Sequence, residues 1–102
     1  MARKKRLGNI HPGEILVEEF LSPLGISQYQ LAKQLSVPLT RIAQICRGRR
    51  AVSVDTALRL GRFFDTSPKF WLGLQEDFDL EAELRAKAKE LARIEPFDAA
   101  DA

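Results

Sequence analysis

The spacing of hydrophobic residues along this chain of 102 residues predicts a series of helices. The segment His11-Pro12-Gly13-Glu14 opens the first one, because proline suits a first helical position and an acidic side chain favours the positive end. Ser22-Pro23-Leu24-Gly25 ends this helix. Ser27 is the predicted N-cap of a second helix over about residues 28–35, which turns three apolar residues to the core: Leu31, Ala32 and Leu35.

The third predicted helix runs from about Pro38 to Arg47. Proline suits its first turn and disfavours helix in the residue before it, so the chain must turn between the second and third helices. Ile42 and Ile45 lie on the predicted buried side, and Gly48 ends the helix.

Two further helices complete the predicted fold. Ser53 caps the fourth, and Ser67-Pro68 begins a long fifth helix. The apolar phase of the fifth helix slips at Asp77-Phe78-Asp79, which predicts a kink or a second short helix there, and the chain is expected to fray from Glu95-Pro96 onward. Strand and hairpin signals are nearly absent, so the predicted fold is all-α, with five helices and an extended C-terminal helix.

The second and third helices are short and lie close together in sequence, which predicts a helix-turn-helix. The third helix then presents an outward face that fits the major groove of duplex DNA. Its residues are the candidate base readers: Leu39, Thr40, Arg41 and Gln44. Gln44 can bond an adenine edge, Arg41 a guanine edge or a phosphate, and Thr40 a base edge or a thymine methyl.

Candidate phosphate contacts surround that face. The start of the second helix is expected to lie over the DNA backbone with its N-terminal dipole toward a phosphate, and arginines follow the third helix directly. The predicted phosphate contacts are Ser27, Gln28, Lys33, Arg47, Arg49 and Arg50.

Charge is divided unevenly along the chain. Residues 1–62 hold eleven Lys and Arg against four Asp and Glu, whereas residues 63–102 hold five against ten. The basic part favours a polyanion as partner, and the acidic part favours a different role. No apolar run is long enough to cross a membrane, and one cysteine excludes an internal disulfide, so we expect a cytoplasmic protein without a cofactor.

Residues with other potential chemistry have plainer interpretations. His11 is interpreted as a cap or packing residue and Cys46 as a packing residue, because neither has the partners that a metal site or a catalytic pair needs. The acidic cluster between Glu76 and Glu83 is interpreted as a solvated face. The segment Arg3-Lys4-Lys5-Arg6 is a solvated tail or, alternatively, a minor-groove arm. The sequence thus predicts neither catalytic residues nor a metal site.

The fifth helix carries more apolar surface than a small core needs, which makes it the candidate for dimer or partner contact. The predicted contact residues are Trp71, Leu74, Phe78, Leu80, Leu84 and Leu91, with core packing as the alternative for Trp71. A dimer whose recognition helices lie about 34–36 Å apart would read two half-sites. The predicted parts of the chain are a basic N-terminal arm (1–10), a helix-turn-helix domain (11–78), a C-terminal helical extension (79–95) and an acidic tail (96–102).

The sequence between His11 and Glu81 resembles the HigA-type antitoxins, which belong to the repressor-like Cro/C1 helix-turn-helix superfamily. The pattern QxxLAxxL…I…I…RGxR identifies the broad superfamily, and HPGEIL, TALRL and TSPKFWLGLQ…DLE are much more specific to HigA. The resemblance implies a homodimer that binds a palindromic operator in its own promoter and neutralises a HigB-type toxin, a ribosome-dependent mRNA-cleaving RNase. It also implies a backbone contact for Gln28 and groove positions for three residues: Leu39, Thr40 and Gln44.

Three alternatives stay open on the sequence alone. A stand-alone helix-turn-helix repressor without a toxin partner shares every DNA-binding feature, and a protein-interaction adaptor would use the same fold without DNA. An enzyme such as a nuclease is disfavoured, because the sequence offers no carboxylate pair, His–base pair or metal-ligand spacing.

Overall fold

The computed structural model describes residues 8–98, and every regular element in this range is a helix. Helix α1 is continuous and has three segments: an α-helical turn (Pro12–Ile15), a π-helical segment (Leu16–Leu21) and a final turn (Ser22–Leu24). It is followed by α2 (Gln28–Leu35), α3 (Leu39–Cys46), α4 (Val54–Phe64) and α5 (Pro68–Ala92). The all-α, five-helix prediction is confirmed, whereas the π-helical segment was not predicted. Most of the predicted basic arm, including Arg3-Lys4-Lys5-Arg6, lies outside the described residues.

Polar side chains fix the starts of four helices. The caps predicted at Ser27, Ser53 and Ser67 are confirmed, since each hydroxyl accepts a hydrogen bond from the backbone N–H three residues further on. His11 caps α1 through Nδ1, which accepts a hydrogen bond from Gly13 N at 2.9 Å.

Helices α1, α2, α3 and α4 and the first half of α5 share one hydrophobic core. Its buried members are Leu16, Leu21, Leu31, Ala32, Leu35, Ile42, Ile45, Val52, Ala57, Leu60 and Trp71. The core positions predicted for α2 and α3 are therefore confirmed. Trp71 has no exposed surface (0%), and its indole N–H donates to Thr66 Oγ1 at 2.9 Å. Its prediction as a dimer contact is wrong, because a side chain that fills the core cannot touch a second chain.

Two more of the predicted partner residues are also engaged within the chain. Leu74 is half-buried against the core, and Phe78 lies edge-on to the ring of His11, with ring centroids 4.9 Å apart. Leu80, Leu84 and Leu91, in contrast, are exposed.

Helix α5 runs through Asp77-Phe78-Asp79 without interruption, so the kink predicted there is wrong. The residue whose backbone departs from helical geometry is Lys87, with φ −113° and ψ 16°. The hydrophobic phase changes near residue 78 because the helix leaves the core there, not because its backbone bends. Beyond that point it projects from the body, which gives the chain extents of 58 × 28 × 23 Å.

Candidate nucleic-acid interface

Helix α3 is packed on one side and open on the other. Ile42 and Ile45 are fully buried, and a side-chain carbon on Gly13 would overlap the carbonyl oxygen of Ile45, so α1 closes tightly on the end of α3. Three residues of α3 are exposed on the opposite side: Leu39, Thr40 and Gln44. This orientation is the one that the helix-turn-helix prediction requires.

Arg41 does not share that open face. Its guanidinium Nη1 lies 2.6 Å from Asp55 Oδ2 and 3.5 Å from Thr56 Oγ1, both at the start of α4. The prediction that Arg41 belongs to the outward face is wrong, because its long side chain bends back to a carboxylate of the neighbouring helix.

Asp55 is the centre of an ion-pair network that joins three helices. Arg59 Nε donates to the same Asp55 Oδ2 at 3.0 Å, while Arg59 Nη1 donates to the carbonyl oxygen of Leu35 at 2.7 Å, at the end of α2. Hydrogen bonds from Arg41 and then Arg59 hold the pKa of the Asp55 carboxyl below its usual value. Sequence reasoning missed this network, although an aspartate four residues before an arginine in a helix is a detectable signal.

A tight turn follows α3, and we call residues 47–50 the arginine turn. Gly48 has φ +73°, its N–H bonds the carbonyl of Ile45, and the N–H of Arg49 bonds the carbonyl of Gln44. These two bonds form the Schellman motif that ends many helices at glycine. The three arginines of the turn are exposed: Arg47, Arg49 and Arg50. The turn therefore sets three cations at the C-terminal end of the open face.

The open face and the arginine turn are in direct contact. Arg50 Nη1 donates to Gln44 Oε1 at 3.1 Å. This bond uses the amide oxygen of the exposed Gln44, so the NH₂ group is what the side chain has left to offer as a donor.

The start of α2 lies at the other side of the helix pair. Ser27 and Gln30 form a capping box, in which each side chain bonds the backbone N–H of the other residue. Ser27 and Lys33 are exposed, and Gln28 is half-buried in the first turn. The cap orders the first turn, whose remaining N–H groups carry the positive end of the helix dipole.

His11 and Cys46 have pKa values that are shifted toward their uncharged forms by burial. Burial lowers the pKa of His11 overall. The carboxylates of Asp79 and Glu14 and the backbone of Arg50 act in the opposite direction and raise this pKa, but their effect is smaller than that of burial. Burial also raises the pKa of the Cys46 thiol to about 11, so the reactive thiolate form is disfavoured.

Known proteins share this architecture. The profile of the helix-turn-helix family matches residues 17–71. The antitoxin HigA of Pseudomonas aeruginosa, solved with the higBA promoter, is 43% identical over 89% of this chain and 100% of its own, with a TM-score of 0.86. The chain belongs to the HigA family. A HigA-family addiction module antidote protein from Coxiella burnetii is 43% identical over 87% of this chain and 98% of its own, with a TM-score of 0.83. Virulence-associated protein I of Dichelobacter nodosus is 48% identical over 78% of this chain and 74% of its own length.

The HigA-type chain also exposes an apolar row on the projecting half of α5. Leu80, Leu84 and Leu91 are 56%, 58% and 41% exposed. The spacing of Leu80 and Leu84 puts them along one side of the helix, and Leu91 lies beyond Lys87, where the backbone departs from helical geometry. Acidic residues flank them, and the pairs Glu81–Arg85 and Glu83–Lys87 bridge successive turns at 3.1 Å.

Within residues 8–98, no helix combines the length and the apolar character needed to cross a membrane. The same residues contain no cluster of three or more His, Cys, Asp or Glu arranged to hold a metal ion.

Proposed function

We propose that this chain is an antitoxin that binds double-stranded DNA, represses its own operon and neutralises a HigB-type mRNA-cleaving toxin. The observation that carries the DNA-binding part is the exposed face of α3 beside the arginine turn. Two relatives support the rest: one was solved with a promoter, and the other is described as an antidote protein. We also propose a cytoplasmic location, since its partners are DNA and an intracellular RNase.

In this proposal α3 enters the major groove, which is about 12 Å wide and admits one helix. Gln44 and Thr40 contact base edges, and Leu39 makes an apolar contact with a thymine methyl group. Because Arg50 holds the Gln44 oxygen, the outward NH₂ group favours an acceptor such as a purine N7. Arg41 is assigned no base, because its guanidinium is bound to Asp55.

Phosphate contacts come from both sides of the groove. The arginine turn supplies three cations at one side. The start of α2, with Ser27 and Gln28, lies over the backbone on the other side, together with the exposed Lys33. These contacts position the helix without reading the sequence.

A homodimer would double the site that one short helix can read. We propose that Leu80, Leu84 and Leu91 pair with a second copy, because three exposed leucines on the projecting half of α5 favour burial against another chain. Such a dimer matches a palindromic operator with half-sites one helical turn apart. The acidic residues around this row are the proposed attraction for a basic toxin.

The test uses the purified full-length protein and the DNA immediately upstream of the first gene of its operon. We expect tighter binding to that duplex than to a scrambled duplex of equal length and composition, and capture of the neighbouring gene's product on co-expression. Equal affinity for both duplexes would contradict operator binding. Operator binding without any toxin would favour the stand-alone repressor instead.

A further inference from the structure

The arginine turn is supported from behind by α5. Directly after the turn, the backbone N–H of Val52 donates to Gln75 Oε1 at 2.8 Å. This bond is buried and joins residues 23 positions apart, and Gln75 itself is only 7% exposed. The amide oxygen of Gln75 on α5 is thus the acceptor for the segment of residues 51–53 that leads from the turn into α4.

A second contact holds the turn at its other end. The His11 ring lies under Gly48, where an added side-chain carbon would be 3.6 Å from His11 Cγ. Phe78 of α5 packs edge-on against the same ring. Both supports of the arginine turn therefore end on the same two turns of α5.

Gln75 also reaches the point where α5 leaves the body. Its Nε2 donates to Asp79 Oδ1 at 2.9 Å, and Asp79 is exposed one position before Leu80. An unbroken line of hydrogen bonds therefore runs from Asp79, through Gln75, to the backbone of Val52.

We propose that Gln75 is a positioning residue that sets the arginine turn against DNA and links it to the projecting half of α5. The link rests on the DNA binding proposed above. An arginine side chain grips a phosphate better when its backbone is held in place, and Gln75 holds the backbone at Val52, two residues beyond that turn.

The first experiment replaces Gln75 by a side chain of similar size without an acceptor. In Gln75→Met the buried N–H of Val52 loses its partner, and we expect affinity for the upstream duplex to fall about tenfold. The slope of log affinity against log salt should shrink by about one to two units, since misplaced arginines release fewer counterions. The control Gln34→Met makes the same chemical change at an exposed position of α2 and should match the wild type.

The second experiment exchanges the donor and the acceptor between positions 75 and 79, and the double variant keeps the net charge of the wild type. Gln75→Glu keeps an acceptor for Val52 but sets two carboxylates side by side, so it should weaken DNA binding. Adding Asp79→Asn supplies an amide donor at position 79, and we expect the double variant to regain the wild-type affinity and salt slope. Rescue of this kind would not follow from a general loss of folding.

The outcomes separate the two proposals. If the wild type does not bind the upstream duplex, the proposed function fails and this inference falls with it. If the wild type binds and folded Gln75→Met keeps the wild-type salt slope, only the positioning role is overturned. Failure of the folded double variant to recover the slope that Gln75→Glu loses would overturn it equally.

Discussion

The two halves of α5 have similar apolar patterns but opposite surroundings. In the first half, Trp71 is wholly buried and Gln75 nearly so. In the projecting half, Leu84 is 58% exposed. The backbone is helical through the boundary, so the difference lies in what covers each half. An apolar row along a helix therefore predicts that it will be covered, but not whether by its own chain or by another.

Charge also distinguishes the body of the chain from the projecting half of α5. The body carries the exposed arginines of the turn after α3, whereas the projecting half carries the acidic residues around Leu80 and Leu84. Duplex DNA is attracted to the first region, whereas the second mixes its acidic residues with the cations Arg85, Lys87 and Lys89. One short chain thereby offers two surfaces that suit different partners.

The largest expected effect comes from breaking the covered half. Trp71→Ala removes a fully buried ring and its bond to Thr66, and we expect it to lower the free energy of unfolding by about 3–5 kcal/mol. Urea unfolding followed by circular dichroism measures this. Phe97→Ala truncates an aromatic side chain that is exposed and should leave the midpoint unchanged. A loss below about 1 kcal/mol for Trp71→Ala would contradict the assigned core.

A substitution in the projecting half of α5 should weaken dimer formation rather than lower the free energy of unfolding. Leu84→Asp sets a charge in the proposed dimer row, and losing one buried leucine per chain weakens pairing by about 2 kcal/mol or more. Sedimentation equilibrium should then show monomers at concentrations where the wild type is dimeric.

A matched control separates that effect from added charge. Ala86→Asp introduces the same group on another side of α5 and should stay dimeric. A Leu84→Asp protein that sediments as the wild type does would rule out this row as the dimer contact.

Local patterns predicted the body well. The serine caps, the buried Ile42 and Ile45, and the glycine after α3 all follow from short-range rules on helix ends and spacing. The family resemblance carried by HPGEIL and TSPKFWLGLQ is confirmed by the relatives. These features were accessible because each depends on residues only a few positions apart.

Contacts between distant residues were not predicted. Arg41 faces Asp55 rather than the open side, and the sequence of α3 itself does not predict a carboxylate on the next helix. Gln75 was overlooked because its partner, the backbone of Val52, carries no sequence signal at all. For Trp71 the sequence left both a dimer contact and core packing open, and the structure shows core packing, because helical spacing alone cannot tell a core from an interface.

A smaller effect is expected where α1 meets the arginine turn. Because burial lowers the pKa of His11 in the folded state, the unfolded chain takes up a proton first as the pH falls below 6.5. Stability should therefore decrease below pH 6.5 and level off once the folded-state pKa is passed. Nearby Asp79 and Glu14 reduce this change but do not reverse it.

His11→Asn tests this prediction, because asparagine keeps a capping acceptor but does not titrate in that range. The difference in free energy of unfolding between wild type and variant should depend on pH between 6.5 and the folded-state pKa. A difference that is constant across this window would show that His11 is not held neutral by burial.

The central claim is that the open face of α3 reads bases in the major groove. Its most direct test compares Gln44→Ala with the wild type on the upstream duplex and on a scrambled duplex, by fluorescence anisotropy at fixed salt. We expect a loss of about 1–3 kcal/mol on the upstream duplex and almost none on the scrambled one. Equal losses on both duplexes, or none on either, would contradict the claim.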